Sequence, residues 1–568
     1  MRIIDPASIA GASWADLAPA FDELLARPVD GATVEAWLAD WSRLEEIVTE
    51  AISSAMIAYT CDTADPAKEA AHRRFVIDIA PHAEEKSVAL ARRFVDLGYS
   101  RPGLEQMLAR FRRAVEVFRE ENVPLLAQLE EAATEYQGIT GAFLADWDGE
   151  QKPLPQLGPF LQHPDRAVRE RAFRGITGPY LAARGQLAAL FDRQFAIREQ
   201  VARNAGFADF QAFSFAAKSR FDYSPADCAR FHDAVAEVAV PAVARVYEAR
   251  RRRLGLDRLR PWDLGVNLYR DEPLRPFAGG ADLVDRTRHL FEQLDPVLAG
   301  QFRTMADEGL LDVESRKNKA PGGYCDTMHF RGRPFIFMNA AGVMEDVQTL
   351  LHEAGHAFHA FSSHRQPLIW QRHPSSESAE LASMSMELLA APLLDRPGAF
   401  LTERDAAVAR LEHLEDVLVT LGHVAAVDAF QSWIYTSGKG GDAEARDAAW
   451  LEIRARFEPV VDWEGLRAER VGRWYRQLHI FLYPFYYIEY GIAQLGAVQV
   501  WLNHRRDPAG ALEAYRQFLA KGATTSLPEL YRTAGARLVF DRDGMAPLVA
   551  AVEAETDRLR RVLAEPLP

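Results

Sequence analysis

Hydrophobic residues recur three and four positions apart along most of the chain, with charged residues between them. This spacing places them on one face of an α-helix, and it is clearest in residues 34–53, 83–97, 101–136, 166–204 and 226–253. The same segments are rich in Ala, Leu, Glu and Arg, which favour helix intrinsically. The pattern therefore predicts a mainly α-helical protein, broken where Pro and Gly occur.

One segment departs from the helical pattern. Residues 322–338 read GGYCDTMHFRGRPFIFM, an alternating and aromatic run with a turn expected at residues 331–333. The run predicts a β-hairpin, and hence one small sheet in a helical protein. Such a sheet is either a structural element or an edge along which an extended peptide lies by strand addition.

The helix expected directly after the hairpin carries metal-binding chemistry. It contains His352-Glu353-Ala-Gly-His356, in which the two histidines lie four residues apart and therefore on one face of the helix. Two imidazoles at this separation can bind one Zn²⁺, and Glu353 lies where it can hold and deprotonate a zinc-bound water. The motif indicates a zinc hydrolase, provided that a third ligand exists.

The third ligand does not follow within the same helix. The metzincin pattern requires Gly and His three and six residues after the second histidine, and those positions hold His359 and Ser362. The alternative is a carboxylate from a second helix, which is expected to begin at Ser375 or Ser376 and to end near residue 391. His359 lies two turns from His352, so we assign it to packing or support instead of coordination.

Three glutamates on the second helix are candidates for the third ligand: Glu377, Glu380 and Glu387. Small and apolar residues flank Glu380, so its side chain is expected to face a packed interior, where a carboxylate is costly unless a cation compensates it. Glu387 lies seven residues further, on nearly the same face. We interpret it as the acceptor that orients a ligand histidine.

The two motifs together resemble a known family. The runs MNAAGVMEDVQTLLHEAGHAFHAF (residues 338–361) and SAELASMSMELL (residues 378–389) are similar to the thimet-oligopeptidase/oligoendopeptidase F family of zinc peptidases, and closest to its bacterial oligoendopeptidase F branch. The resemblance implies His352, His356 and Glu380 as ligands of one Zn²⁺ per chain. It also implies a helical, two-lobed peptidase with a deep substrate channel and one small β-sheet near the zinc site.

A second signature of this family lies near the carboxyl end, where residues 479–491 read HIFLYPFYYIEYG. Hydroxyl and imidazole donors in such a cluster can stabilise the oxyanion of a tetrahedral intermediate. The resemblance implies that Tyr490 donates to this oxyanion, assisted by His479 and a nearby tyrosine. We take Tyr487 as that tyrosine, with Tyr483 and Tyr486 as open alternatives. Packing in a core is the competing interpretation of the cluster.

Composition narrows the range of partners and locations. The 568 residues include 66 basic and 81 acidic side chains, a net charge of −15, which argues against binding to nucleic acid or to an anionic membrane. The three cysteines cannot form a disulfide framework, and the amino terminus has no signal-peptide pattern. We expect a cytoplasmic protein with short peptides as substrates and no obligate protein partner.

The sequence thus favours a zinc-dependent endopeptidase for short unstructured peptides. We expect an N-terminal helical lobe at residues 1–200 and a catalytic helical region at residues 201–568, with the lobes intertwined. A dipeptidyl carboxypeptidase-like exopeptidase is the nearest alternative, and a catalytically silent, metal-stabilised peptide-binding scaffold is a further one. Glu353 argues against the scaffold, because a structural zinc site closes its fourth position with another ligand.

Overall fold

Helices dominate the computed structural model, which describes residues 4–270 and 274–564, and they make up 70% of it. The helices before residue 310 are α1 (Trp14–Ala26), α2 (Val34–Cys61), α3 (Pro66–Arg73), α4 (Ala80–Asp96), α5 (Glu105–Val117), α6 (Val123–Gly141), α7 (Arg166–Ala182), α8 (Arg184–Asn204), α9 (Phe210–Ala217), α10 (Pro225–Ala234), α11 (Val240–Arg253), α12 (Gly280–Leu294) and α13 (Pro296–Asp307). The later helices are α14 (Met344–Ser363), α15 (Ile369–Arg372), α16 (Ser376–Ala390), α17 (Glu403–Thr436), α18 (Ala443–Phe457), α19 (Arg467–Gly472), α20 (Leu478–Leu482), α21 (Tyr487–Arg506), α22 (Pro508–Lys521), α23 (Leu527–Thr533) and α24 (Arg542–Ala564). The predicted helical fold is therefore confirmed.

Three segments predicted as single helices are interrupted. A short 3₁₀ turn separates α5 from α6, and a π-helical turn separates α10 from α11. In both cases a proline, Pro124 or Pro241, stands at the start of the next helix, where its missing N–H costs no hydrogen bond. Ala183 separates α7 from α8. The hydrophobic spacing runs across these breaks and therefore does not reveal them.

The predicted hairpin is confirmed and is part of a three-stranded sheet. Strands β4 (Tyr324–Met328) and β5 (Arg333–Ala340) pair antiparallel, and β3 (Leu311–Glu314), which the sequence analysis missed, pairs parallel with β5. The strand order is β3-β5-β4. A separate antiparallel pair, β1 (Leu144–Trp147) and β2 (Glu150–Pro153), was also missed, although its Asp148-Gly149 turn has positive φ at both residues and is a recognisable hairpin signal.

The chain divides into two compact units, each built from three separate segments. Unit 1 comprises Met1–Glu116, Leu274–Ala409 and Ala493–Leu538, and unit 2 comprises Val117–Pro273, Arg410–Ile492 and Val539–Pro568. The chain passes between the units five times, and two of these passages lie inside α17 and α21. The boundary expected between residues 200 and 201 lies within α8 of unit 2.

In unit 1, helix α14 packs against the sheet on one side and against helices on the other. It contacts β4 and β5, as well as α16 and α22. The buried residues of α14 include Leu350, Leu351, Ala354 and Phe358, which lie before, between and after the two histidines of the motif in the sequence. These contacts fix the position of α14, which carries the histidine side chains of the motif.

One helix among the described residues passes a length-and-hydropathy test for a membrane span. This helix is α17, whose most apolar window has a mean hydropathy of 1.3. However, 67% of that window is buried inside the protein, as in a core helix.

Candidate active site

The start of α14 is fixed by one carboxylate. Asp346 Oδ2 accepts hydrogen bonds from the backbone N–H groups of Ala341, Gly342 and Val343, at 2.9, 2.8 and 2.9 Å. These N–H groups belong to the loop between β5 and the helix, and a carboxylate in the first turn also complements the helix dipole. The helix therefore begins at a defined point after the sheet, two turns before its first motif histidine.

Helix α16 begins where the sequence predicted, with Ser375 as its N-cap residue. It approaches α14 most closely at Gly355, the glycine inside the histidine motif. A Cβ atom on Gly355 would lie 2.5 Å from Ser383 Cα and 2.8 Å from the carbonyl oxygen of Ala382, closer than packed atoms come. The missing side chain allows α16 to lie close enough for its glutamates to reach the histidines.

Three donor groups converge between these two helices. Glu380 Oε2 lies 3.4 Å from His352 Nε2 and 3.9 Å from His356 Nε2, and one donor atom from each residue lies within 4.8 Å of the others. The ring centroids of the two histidines are 4.9 Å apart and their planes are nearly perpendicular. The structure thus brings together the three residues predicted as metal ligands.

The separations between Glu380 and the two histidines are close to those of a zinc site. In tetrahedral coordination with bonds of about 2.0–2.1 Å, ligand atoms lie about 3.3–3.4 Å apart. The observed 3.4 and 3.9 Å therefore need only small side-chain adjustments to close around one ion. Two imidazoles and one carboxylate are the donor set of catalytic zinc sites that keep one position open. The residues present fit the metal.

Two side chains of α16 orient the donors. Glu387 Oε1 lies 2.7 Å from His352 Nδ1, so this nitrogen donates to the carboxylate and directs Nε2 towards Glu380. The Ser383 hydroxyl lies between these glutamates and donates to Glu380 Oε2 at 3.1 Å. The orienting contact predicted for Glu387 is present, whereas the contact of Ser383 was not foreseen.

The charges in this group shift its pKa values. Burial favours neutral His352, but its hydrogen bonds to Glu380 and Glu387 outweigh burial and raise its pKa well above the ordinary value. Burial lowers the pKa of His356 to about 4. A cation between these donors would hold both histidines neutral and Glu380 ionised, since ligand atoms must be deprotonated.

Glu353 lies next to the first histidine and is 8% exposed. Burial raises its pKa to about 7, and the carboxylates of Glu380 and Glu387 add to this rise while His352 opposes it. The carboxylate of a general base is most effective when its pKa lies near the working pH. Because a bound cation stabilises nearby negative charge, it would lower this pKa.

The remaining histidines of this region are placed elsewhere. His359 is 2% exposed and packs near Phe518, with ring centroids 5.4 Å apart, as expected for a packing residue. His329 and His373 stack on each other with centroids 4.2 Å apart. His364 lies beside Arg372.

The second predicted set of residues lies in unit 2 and forms an aromatic cluster. The ring of His479, on α20, lies 4.8 Å from that of Tyr487 and 6.0 Å from that of Tyr490, both on α21. Tyr486 also borders Tyr490, at 5.2 Å, whereas Tyr483 is 54% exposed. We call residues 478–490 the tyrosine segment.

Tyr487 is held by contacts of both its hydroxyl group and its ring. Its hydroxyl accepts a hydrogen bond from the amide of Gln477, and its ring meets the edge of His423 at 5.4 Å. Burial raises the pKa of Tyr487 to about 12, so the phenol stays protonated at neutral pH. The structure therefore brings the rings of His479, Tyr487 and Tyr490 together, as the motif predicted, and leaves their roles to be tested.

Comparison with known proteins identifies the family. The sequence model of peptidase family M3 matches residues 160–548, a range that includes both the donor group and the tyrosine segment. This chain belongs to peptidase family M3. With its histidine and glutamate donors it is a metallopeptidase.

Relatives within the M3 family are distant in sequence and close in fold. The oligopeptidase PepF of Bacillus subtilis (strain 168) is 22% identical over 490 residues, which cover 80% of this chain and 69% of PepF. The solved structure of PZ peptidase A with inhibitor 2 is 26% identical, with a TM-score of 0.87 and 98% of each chain covered. A structure described as a candidate oligoendopeptidase F is 28% identical, with a TM-score of 0.88, and the match covers 96% of this chain and 97% of that one.

The close approach at Gly355 gives a prediction for this M3 peptidase. Gly355→Ala should lower the free energy of unfolding by about 1–3 kcal/mol, because the added methyl group meets backbone atoms of α16 that cannot rotate away. It should also weaken metal binding, since Glu380 moves with α16. Chemical denaturation and zinc titration measure the two effects.

Gly300→Ala is the matched control for this variant. Gly300 lies within α13 of the same unit, and nothing lies within 4 Å of its added Cβ atom. Alanine there should be neutral or stabilising by up to about 1 kcal/mol. Equal behaviour of the two variants would show that the approach of the helices at Gly355 is not tight.

Proposed function

We propose that this chain is an endopeptidase that binds one Zn²⁺ per chain and hydrolyses internal bonds of short, unstructured peptides. The observation that supports the proposal is the convergence of His352, His356 and Glu380, with the buried carboxylate of Glu353 beside them. Its relatives include proteins named oligopeptidase and oligoendopeptidase F homolog, which supports oligopeptides as the substrates.

Glu353 has the central role in this proposal. Zinc held by the three donors would supply a Lewis acid to polarise the scissile carbonyl group. Glu353 accepts a proton from the attacking water as its oxygen bonds to the carbonyl carbon. It then gives that proton to the leaving nitrogen as the C–N bond breaks, so that one water is consumed for each bond cleaved and the carboxylate is restored.

Tyr490 is proposed as the donor to the oxyanion, as the family resemblance implies. A phenol O–H can donate a hydrogen bond to an oxyanion, and the charge on that oxygen develops only after the water has attacked. His479 and Tyr487 border Tyr490 and limit the positions of its ring. We propose that these two residues assist by holding the donor in place.

Tyr490→Phe should therefore lower kcat by about 10²–10³-fold, the effect of removing one oxyanion donor. KM should change little, because the ground-state carbonyl carries far less charge than the tetrahedral oxygen. Zinc content and melting temperature should remain those of the wild type. Steady-state kinetics and thermal melts of the one variant provide these values.

If Tyr490 is only a packed aromatic residue, the same variant behaves differently. Loss of a satisfied buried hydroxyl would lower stability by about 1–3 kcal/mol and leave turnover nearly unchanged. A stability loss with normal turnover would remove Tyr490 from the mechanism.

The experiment that tests the function uses peptides blocked at both ends. An N-acetylated, C-amidated peptide of about ten residues has no free terminus, so an endopeptidase cleaves it and a dipeptidyl carboxypeptidase does not. Mass spectrometry of the products, with and without a chelator, separates the outcomes. Internal cleavage that the chelator abolishes supports the proposal. Cleavage of unblocked peptides alone favours the exopeptidase, and binding without cleavage favours the scaffold.

Substrate folding gives a further prediction. We expect cleavage of unstructured peptides and sparing of stably folded proteins, because unfolding a domain to present an extended strand costs about 5–15 kcal/mol. Incubation with one small protein in its native and its reduced, unfolded form, followed by gel electrophoresis, measures the difference. Comparable rates on both forms would contradict it.

A further inference from the structure

The tyrosine segment begins with a short helix whose last carbonyl groups have no partners within the helix. Helix α20 has five residues, and the final carbonyls of any helix lack intrahelical N–H donors. Ile480 and Phe481 are each 1% exposed, so water does not replace the missing donors. Their carbonyl oxygens must be satisfied by other parts of unit 2.

Helix α8 supplies these donors from two buried side chains. Arg198 donates from Nη1 to the carbonyl of Ile480 at 3.0 Å and from Nη2 to the carbonyl of Phe481. Gln194 donates from Nε2 to the same Phe481 carbonyl at 3.0 Å. The two residues are four positions apart and lie on one face of α8. Arg198 is 2% exposed and Gln194 is 0% exposed. Together they hold the C-terminal end of α20 by hydrogen bonds to its backbone carbonyls.

The other end of the loop is held in the same way. Phe485 has a φ of 63°, a conformation that is rare for an aromatic residue and persists only when its surroundings impose it. Its N–H donates to Gln431 Oε1 at 2.8 Å, and its carbonyl accepts from Arg220. Arg220 also pairs with Glu489 at 2.7 Å, one residue before Tyr490. Buried side chains thus hold the backbone at both ends of the segment between α20 and α21, at residues 480–481 and at Phe485.

Arg198 differs from Arg220 in the charge of its partners. Within residues 4–270 and 274–564, the hydrogen-bond partners of Arg198 are the two carbonyls and the hydroxyl of Tyr435, at 3.0 Å, and no carboxylate pairs with it. A buried cation with neutral partners costs stability relative to an apolar side chain of similar size. A guanidinium is explained here if the end of α20 must be held in one position, because its planar group binds two neighbouring carbonyls in one fixed geometry.

We propose that Arg198, with Gln194, is a positioning residue for the peptidase reaction: it holds the end of α20 so that His479 meets Tyr487 and Tyr490. His479 lies on α20, directly before Ile480 and Phe481, whose carbonyls accept these hydrogen bonds. Its ring contacts both tyrosines. Arg198 touches none of the reacting groups and acts only through this backbone. The inference rests on the proposed role of Tyr490.

The test replaces Arg198 with methionine, which keeps most of the volume and removes both donors. We expect kcat on the blocked peptide to fall by about 10–100-fold with KM within about twofold, as for a catalytic group displaced by a fraction of an ångström to one ångström. Zinc content should remain that of the wild type. If Arg198→Met does not fold, Gln194→Met removes one donor to the same carbonyl and should give a smaller fall in kcat.

A spectroscopic readout reports on the position itself. With 3-fluorotyrosine placed at position 490, we expect the fluorine resonance to shift or broaden in Arg198→Met. The control is Arg250→Met, which also removes a buried guanidinium that donates to a backbone carbonyl, that of Val266, at 2.5 Å in unit 2. This control should lower stability and leave the resonance and kcat unchanged.

A double-mutant comparison separates this inference from the proposed function. If Arg198 acts through Tyr490, Arg198→Met should change kcat less than about twofold in a Tyr490→Phe background. Equal losses in both backgrounds, equal losses in the Arg250 control, or an unchanged fluorine resonance would each overturn the inference. If Tyr490→Phe alone leaves kcat unchanged, the proposed role of Tyr490 fails, and the fluorine resonance then decides whether Arg198 positions the segment.

Discussion

Replacing Glu353 with glutamine should lower kcat on a blocked peptide by about 10²–10⁴-fold, the contribution of a positioned general base. The amide keeps the shape of the side chain and cannot accept a proton from water. His352, His356 and Glu380 are untouched, so zinc should bind at one equivalent as in the wild type. Steady-state kinetics and elemental analysis of the same preparation measure both quantities.

Glu345→Gln is the control for loss of a negative charge on the same helix. Glu345 lies in the first turn of α14 and is exposed. The Glu345→Gln substitution should therefore leave turnover unchanged. A Glu353→Gln enzyme that cleaves peptides at a rate near that of the wild type would remove Glu353 from the mechanism.

Loss of a ligand should remove the bound metal as well as the activity. His356→Ala and Glu380→Ala should lose bound zinc and, with it, turnover, down to the level of chelator-treated protein. A catalytic site has only three protein ligands, and no further side chain of the site takes the place of a lost one. Zinc affinity by competition with a chromogenic chelator gives the magnitude, and added zinc should restore activity only partly.

The matched control for Glu380 is Glu377→Ala on the same helix. Glu377 is also buried, at 4% exposure, yet it is not among the three converging donors. This variant should lose stability and keep zinc. If Glu380→Ala bound zinc with unchanged affinity, the third ligand would have to be another residue.

The local sequence was sufficient to predict most elements around the site. Helical spacing predicted α14, serine capping and flanking prolines predicted the bounds of α16, and aromatic alternation predicted β4 and β5. Each of these signals lies within the element it predicts or directly beside it. Strand β3 was missed because it has four residues and pairs with a strand more than twenty positions away.

The donor group could be predicted for a similar reason. The spacing of His352 and His356 fixes their common face. The apolar neighbours of Glu380 indicated a carboxylate that a cation would stabilise, and the family resemblance assigned the third ligand to this position. The hydroxyl contact from Ser383 to Glu380 depends on a rotamer, and no pattern in the sequence reveals it. The glycine in the motif is a visible signal, but its function follows only when the distance between α14 and α16 is known.

The support of the tyrosine segment lay beyond sequence reasoning altogether. Arg198 and Gln194 come almost 300 residues before the carbonyls they bind, on a helix with ordinary hydrophobic spacing. Nothing in such a helix distinguishes a buried arginine from a solvated one. Contacts of this kind, between a side chain and a distant backbone group, require the fold.

The central claim is that one zinc ion and Glu353 together hydrolyse internal peptide bonds. The most direct measurement is a titration of metal-free protein with Zn²⁺ while cleavage of a blocked peptide is followed, for the wild type and for Glu353→Gln. We predict that wild-type activity rises to a plateau at one equivalent of zinc with internal cleavage products, and that Glu353→Gln binds the same equivalent without cleavage. Full activity of the metal-free wild type, or equal activity of the two proteins at one equivalent, would contradict the claim.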